Sequence, residues 1–102
     1  MAIEVRKIPQ GNRYEISVDG QLAGFLEYES RDENVLALTH TIVESRFRGQ
    51  GLAGKLVTTA LDEARLNGHS VLPYCSYVQA FIGEHPDYVD LVPVENRADF
   101  GL

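Results

Sequence analysis

The apolar residues of the chain change their spacing at Gln50, from a period near two to a period near 3.6. On the N-terminal side, alternating and β-branched runs predict four strands, which are Ile3–Ile8, Arg13–Val18, Leu22–Tyr28 and Val35–Val43. On the C-terminal side, one helical face collects the apolar residues Leu52, Ala53, Leu56, Val57, Ala60, Leu61 and Ala64. This order of periods predicts a four-stranded antiparallel meander that leads into an amphipathic helix.

Turn residues and shorter runs complete the predicted order of elements. Gly11-Asn12 and Asp19-Gly20 supply the first two turns. The helix is expected to stop at Asn67-Gly68, because glycine permits a left-handed ending. A short strand at Ser70–Leu72 follows, and then two short helices at Ser76–Glu84 and Pro86–Val92. The sequence therefore predicts the order ββββ-α-β-α, an α+β fold in a single domain over residues 1–102.

Composition excludes several functional classes. The net charge of −6 argues against nucleic-acid binding, which would require a basic face. The apolar runs are only a few residues long, so we expect no membrane-spanning segment. Met1–Pro9 is typical of a strand rather than of a signal peptide, and the single cysteine, Cys75, excludes an internal disulfide. We therefore expect a cytoplasmic protein that binds neither nucleic acid nor membranes.

The stretch ESRFRGQGLAGKL, residues 44–56, is the strongest functional signal of the chain. Three of the nine cations, Arg46, Arg48 and Lys55, lie within ten residues that contain no acid. Two common phosphate-binding patterns fit its glycines but not its surroundings. The dinucleotide pattern G-x-G-x-x-G requires a βαβ unit with an acid about 20 residues on, whereas a meander precedes this turn and Val71–Cys75 has no acid. The triphosphatase pattern G-x-x-x-x-G-K requires Ser or Thr after the lysine, and residue 56 is leucine.

A third reading of the same stretch, R-x-x-G-x-A at Arg48, Gly51 and Ala53, agrees with its surroundings. A central strand is predicted to end at Val43, a glycine-rich turn follows, and the helix begins directly. Glycines let backbone N–H groups converge on an anion, and a helix N-terminus adds about half a positive charge. Arg46 and Arg48 can each add a charge-assisted contact of about 1.5–3 kcal/mol. The turn is therefore predicted to hold a pyrophosphate.

At these residues the chain resembles the GNAT superfamily of acetyl-CoA-dependent acyltransferases, whose signature R/Q-x-x-G-x-G/A lies at a strand-to-helix turn. The ββββ-α-β-α order is also similar to the core of that family, so the resemblance covers nearly the whole chain. It implies a minimal GNAT fold with a splayed central strand pair, in which the turn binds the pyrophosphate of acetyl-CoA and the fourth strand pairs with the pantetheine arm. The cofactor-binding residues expected are Ile42, Val43, Arg46, Arg48, Gly49, Gln50, Gly51, Leu52 and Ala53.

The chain departs from the larger members of this family at both ends. Those members carry helices between the first two strands and further C-terminal strands, which build the acceptor pocket, whereas Pro9–Arg13 is only a turn here. With LPYCSYV after the fifth strand, the chain resembles a small GNAT branch marked by a cysteine near the acetyl group. An acetyl-cysteine intermediate has been proposed for that branch. The resemblance leaves the acceptor open.

The catalytic candidates are Cys75 and His40. Cys75 follows the fifth strand and is expected beside the thioester, as an acyl acceptor or as a proton donor to the leaving sulfur. A free thiol is mostly protonated at pH 7, so it needs an activator, and His40 on the fourth strand is the candidate. Either residue could instead be structural, as a small buried hydrophobe or a hydrogen-bonded sheet histidine. Glu44 as a base, and Tyr74 or Tyr77 as a proton donor, are weaker candidates.

The resemblance, with these residues at the reacting centre, implies an enzyme that transfers the acetyl group of acetyl-CoA to an amine on a small molecule or a macromolecule. No cluster of residues has metal-ligand spacing, so no metal is expected. The rival interpretation is a non-catalytic acyl-CoA-binding module that acts through a partner protein, which the missing acceptor pocket favours. A scavenger that hydrolyses acetyl-CoA without any amine is a third possibility.

Overall fold

The computed structural model describes residues 2–102, in which five strands form one sheet with the spatial order β1-β2-β3-β4-β5. The strands are β1 (Ile3–Ile8), β2 (Arg13–Val18), β3 (Gln21–Asp32), β4 (Val35–Val43) and β5 (Ser70–Pro73). The first four are antiparallel to their neighbours, and β5 is parallel to β4. The helices are α1 (Leu52–Leu66), between β4 and β5, and α2 (Ser76–Glu84), after β5. Short 3₁₀ segments lie at Pro9–Gly11, Ser45–Phe47, Pro86–Leu91 and Val94–Phe100.

The α+β architecture and the element order predicted from the sequence are confirmed, with two changes of detail. β3 runs past its predicted end at Tyr28, because it stays paired with β4 until Asp32 lies opposite Val35. The helix predicted at Pro86–Val92 is a 3₁₀ segment, Pro86–Leu91. A segment this short forms too few α-helical hydrogen bonds to offset the cost of helix nucleation, so the tighter 3₁₀ form is common.

Both helices pack against one face of the sheet. The buried residues of α1 are Leu52, Leu56, Val57, Ala60, Leu61 and Ala64, and those of α2 are Val78 and Ile82. They share one core with Tyr14, Ile16 and Leu26 of the sheet. Each fully buried aliphatic side chain contributes about 1.5–3 kcal/mol through removal from water. No helix within residues 2–102 is long and apolar enough to cross a lipid bilayer.

The opposite face of the sheet, here called the outer face, carries polar and charged residues between apolar ones. Side chains alternate along a strand, so the residues of β2 that lie between its buried positions point outward. Glu15 of β2 lies opposite Phe25 of β3, which lies opposite Ile42 of β4. Glu27 and His40 form the next outward pair. The connection from β1 to β2 contains only the short 3₁₀ segment Pro9–Gly11 and no α-helix.

A polar contact links the sheet to α1. Tyr14 Oη donates a hydrogen bond of 2.9 Å to Glu63 Oε1, and Lys7 Nζ lies 3.1 Å from the same oxygen. Burial of the ring, together with the hydrogen bond to Glu63, raises the pKa of Tyr14 well above its usual range. The phenol is therefore held in its protonated form where α1 crosses the sheet.

Candidate functional site

The strands β4 and β5 separate part of the way along their length. Their pairing runs from Val35 opposite Ser70 to Leu38 opposite Pro73. One further hydrogen bond of 2.9 Å, from Cys75 N–H to the Leu38 carbonyl, closes the ladder. Beyond it, within residues 2–102, β4 pairs only with β3. The rest of β4 thus has an open edge, and such an edge presents unpaired N–H and C=O groups. We call the space beside it the gap.

Alternation along β4 decides which main-chain groups face the gap. Glu44, just after β4, donates its N–H to the Ala23 carbonyl of β3 at 2.8 Å. Because alternate residues direct their main-chain groups to the same side of a strand, Ile42 faces β3, whereas Val43 and Thr41 face the gap. Of the two residues predicted to pair with the pantetheine arm, Val43 therefore presents its main chain to the gap. Ile42 presents a side chain that is 49% exposed to the outer face.

The glycine-rich turn continues directly from this open edge. Gly49 has a φ of +85° and Gly51 a φ of +73°, and these left-handed conformations favour glycine. α1 then begins at Leu52, with no side chain capping its N-terminus and no acid in its first turn. The first N–H groups of a helix have no partner within the helix. Here they are available to an anion, at the positive end of the helix dipole.

A cavity of about 220 Å³ lies at this turn. Its lining residues are Val43, Phe47, Arg48, Gly49, Gly51, Leu52, Ala53 and Tyr77. Six of the residues predicted to bind the cofactor therefore lie together, and three do not line this cavity: Ile42, Arg46 and Gln50. Arg46 Nε lies 3.2 Å from Glu44 Oε2, so the acid at the start of the stretch partly neutralises the charge of Arg46. Gln50 lines a neighbouring groove of about 750 Å³, together with Lys55.

Two aromatic residues of this cavity were missed as cofactor contacts. Phe47 packs under the Arg46 guanidinium, 4.7 Å from ring centroid to Cζ, and its only sequence signal is its place inside the glycine-rich stretch. Tyr77, a candidate proton donor to sulfur, projects from the first turn of α2 toward the glycine-rich turn. Its hydroxyl would lie 3.7 Å from a Cβ added at Gly54.

Cys75 lies immediately before α2, and its thiol meets a threonine. The side chain is buried, and Sγ lies 3.3 Å from Thr41 Oγ1. The sequence interpretation overlooked Thr41. Its presence in a strand that also carries His40 is the only signal it leaves in the sequence.

The structure does not bring His40 to Cys75. The His40 side chain is 68% exposed on the outer face, with Nδ1 3.2 Å from Glu27 Oε1. Thr41 is the adjacent residue of the strand, so it points to the opposite, core-facing side, where Cys75 lies. His40 is therefore accessible to a molecule that approaches the outer face from solvent, whereas Cys75 lies on the core-facing side of β4.

A β-bulge explains this division. Leu38 lies opposite Tyr28 and His40 lies opposite Glu27, so Thr39 is an extra residue without a partner. Before the bulge, the even-numbered residue Leu38 faces the core. After it, the odd-numbered residues do, and Thr41 takes the position that a regular strand would give to His40.

The remaining candidates have other partners or positions. Tyr74 packs edge-on against Phe100, with 5.3 Å between ring centroids, and lies beneath the Arg31 guanidinium. Glu44 pairs with Arg46. Across residues 2–102, no group of three His, Cys, Asp or Glu side chains comes close enough to hold a metal ion.

Comparison with known proteins agrees with this geometry. Residues 13–91 match the family described as GCN5-related N-acetyl-transferase. The matched residues include the whole of β2 to β5 and the glycine-rich turn. Protein NATD1 of Bos taurus is 38% identical over 64 residues, which make up 60% of this chain and 54% of that protein. The chain thus spans about half the length of this curated relative.

Two solved structures share the fold. The solution structure of a GCN5-like protein from Staphylococcus aureus superposes with a TM-score of 0.69 at 23% identity, covering 88% of this chain and 87% of that one. The crystal structure of the GNAT family N-acetyltransferase YhbS from Escherichia coli, in complex with CoA, superposes with a TM-score of 0.52 at 27% identity. That match covers 58% of this chain and 37% of YhbS.

Proposed function

Because the chain belongs to the GCN5-related N-acetyltransferase family, we propose that it binds acetyl-CoA and transfers the acetyl group to an amine. The observation that carries this proposal is the continuity of the glycine turn with the open edge of β4. The two meet at Val43. Its main chain faces the gap, and the residue also lines the cavity at the turn. A molecule with an anionic end and a long amide-containing arm fits this combination, and CoA is such a molecule.

Each part of the cofactor has a proposed position. The pyrophosphate accepts hydrogen bonds from the N–H groups at the start of α1, and Arg48 adds a charge-assisted contact. The pantetheine amides pair with the main chain of Thr41 and Val43, as an added strand would. The arm then runs along the open edge toward Leu38, where the ladder to β5 closes. This direction brings the thioester toward Cys75.

The acceptor amine presents a protonation problem that the protein has to solve. A lysine-like amine with a pKa of about 10.4 is unprotonated only about once in 2,500 molecules at pH 7, an obstacle of roughly 4.6 kcal/mol. A general base beside the amine removes that obstacle. We assign this role to His40, because it is exposed on the outer face and Glu27 holds its Nδ1. Nε2 is then left to face the amine.

Cys75 has a separate proposed role, as the acyl acceptor in a two-step transfer. The thiol lies on the core side of β4 and His40 on the outer side, so His40 would deprotonate the amine as it approaches and Cys75 would present the acetyl group to it at the gap. Cys75 would receive the acetyl group from CoA, and the amine would then remove it through the gap. The part of the outer face around His40 and Glu27 is exposed, which suits an amine carried on a macromolecule.

The test measures binding and turnover separately. Native mass spectrometry with acetyl-CoA is expected to show a one-to-one complex, which Gly51→Glu abolishes by placing a bulky anion at the turn. CoA release over a panel of amines is expected to fall sharply in Cys75→Ala and in His40→Ala. His69→Ala, on a histidine outside the gap and the turn, serves as the control and should keep full turnover. Retained binding by Gly51→Glu would refute the cofactor site, and unchanged turnover in Cys75→Ala would refute the cysteine route.

A second candidate function is an acyl-CoA-binding module that acts through a partner protein. The observation that favours it is the shape of the outer face around His40, where the cavity of about 360 Å³ lined by Glu27, Thr39 and His40 is shallow and formed by the strands and the connection from β1 to β2. The same amine panel separates the two functions, because a pure binder releases CoA only at the background rate of hydrolysis. Faster CoA release without any amine would instead indicate a hydrolase.

A further inference from the structure

Cys75 is fixed through its main chain on both sides. Its N–H donates to the Leu38 carbonyl at 2.9 Å, and its carbonyl accepts a hydrogen bond of 3.0 Å from the N–H of Gln79 in α2. These two bonds set the position of the Cβ atom at the point where β4 and β5 part. The remaining freedom of the thiol is rotation about the Cα–Cβ bond.

Thr41 is placed to remove that freedom. Its Oγ1 lies 3.3 Å from Cys75 Sγ, within the range for a hydrogen bond to sulfur. Threonine is β-branched and therefore stiff at χ1 on a strand, so its hydroxyl is a well-fixed partner. The bulge at Thr39 is what turns this hydroxyl to the core side of β4. Within residues 2–102, no other side chain makes a hydrogen bond to this thiol.

We propose that Thr41 is a positioning residue, which holds the Cys75 thiol in the orientation required for acyl transfer from acetyl-CoA. This inference rests on the proposed function. The contact with Thr41 Oγ1 fixes the rotation of the thiol, so that a sulfur lone pair faces the gap. The main chain of Thr41 also faces the gap, where it is proposed to pair with the pantetheine arm. Any residue at this position would do the same, so that contact does not depend on the threonine side chain.

The step that Thr41 supports is balanced without any further reagent. Cys75 Sγ attacks the carbonyl carbon of the thioester, and a new C–S bond forms. The C–S bond to CoA breaks, and its electron pair passes to the CoA sulfur. The proton that Cys75 loses is taken up by that sulfur, so the products are acetyl-Cys75 and free CoA.

The experiment compares three variants of the full chain by rapid-quench mass spectrometry with acetyl-CoA. Thr41→Val keeps the shape and removes the hydroxyl, and it is expected to slow acetylation of Cys75 about three- to tenfold, the range expected for loss of one hydrogen bond. Thr41→Ser keeps the hydroxyl and should restore most of the rate. Thr59→Val is the matched control, because that hydroxyl donates to the Lys55 carbonyl within α1, and it should leave the rate unchanged.

Two readouts separate this proposal from a merely structural role and from failure of the proposed function. The dissociation constant for CoA should be equal in wild type, Thr41→Val and Thr41→Ser. Equal rates of adduct formation in wild type and Thr41→Val would overturn the positioning role, and so would Thr41→Ser acting no faster than Thr41→Val. The positioning role is also overturned if the wild-type protein binds acetyl-CoA but forms no acetyl-Cys75 and releases no burst of CoA. A wild-type protein that does not bind acetyl-CoA overturns the proposed function itself.

Discussion

Replacement of Gly51 by alanine is expected to destabilise the protein through its backbone alone. Gly51 has a φ of +73° and caps the N-terminus of α1. A Cβ added there would meet no heavy atom within 4 Å, so crowding contributes nothing. The left-handed conformation costs a residue with a side chain about 1–2 kcal/mol. We therefore expect the free energy of unfolding to fall by that amount.

Gly83→Ala is the matched control. Gly83 lies in α2, its φ is not positive, and an added Cβ would again meet nothing within 4 Å. Alanine is favoured over glycine in a helix by about 0.5–1 kcal/mol. The same substitution, with the same absence of neighbours, should thus destabilise at residue 51 and stabilise at residue 83.

Urea and thermal unfolding followed by circular dichroism measure both changes, since the chain has no tryptophan to report by fluorescence. Each kcal/mol is expected to shift Tm by roughly 4–8 °C for a domain of this size. Calorimetry with CoA should also show weaker binding by Gly51→Ala, because the strained turn no longer holds its N–H groups in place. Wild-type stability in Gly51→Ala would refute the argument that the turn requires a left-handed residue.

Three further predictions concern the scaffold. Burial and the hydrogen bond to Glu63 raise the pKa of Tyr14, so the native state keeps the phenol proton longer than the unfolded state, and stability should fall as pH rises above about 10. Tyr14→Phe should flatten that fall in urea titrations at alkaline pH, and an unchanged pH profile would contradict the assignment. Gly24→Ala places a Cβ against the Ile42 carbonyl oxygen, so Tm should drop by the equivalent of about 1–3 kcal/mol. Ile82→Ala empties a fully buried position and should cost about 2–5 kcal/mol in urea unfolding; a loss below 1 kcal/mol would mean that α2 adds little to the core.

The sequence could predict those features that depend on local physics. The change of hydrophobic period at Gln50 determines the meander and the helix, because side-chain spacing and burial are linked directly within each element. Glycine permits the positive φ of Gly49 and Gly51 but does not dictate it, since Gly54 of the same stretch lies in α1 without one. The family match over residues 13–91 confirms the resemblance drawn from this turn.

The division of β4 into two faces could not be predicted in the same way. A β-bulge arises from the pairing of β4 with β3, which no residue within β4 reveals, and Thr39 suits either a regular or a bulged strand. Regular alternation would have placed His40 beside Cys75. One extra residue reverses the alternation, so Thr41 occupies that place instead. The pairing of Arg46 with Glu44 has a simpler cause, since Glu44 lies two residues before Arg46 and just outside the acid-free residues 46–55.

The short ladder between β4 and β5 has a consequence for how the chain folds. Neighbouring strands from β1 to β4 meet through tight connections, but β5 reaches β4 only after the whole of α1 has been placed. Contacts between distant parts of a chain form late, because closing the long loop between them costs entropy that is offset only when the intervening elements are already folded. β5 also lies at the edge of the sheet and pairs over only four residues, so its amide protons should exchange with solvent sooner than those of β2 and β3. A ligand that binds along the gap would link the last strand to its neighbour, and at a hundredfold excess over Kd it would add about 2.7 kcal/mol to stability.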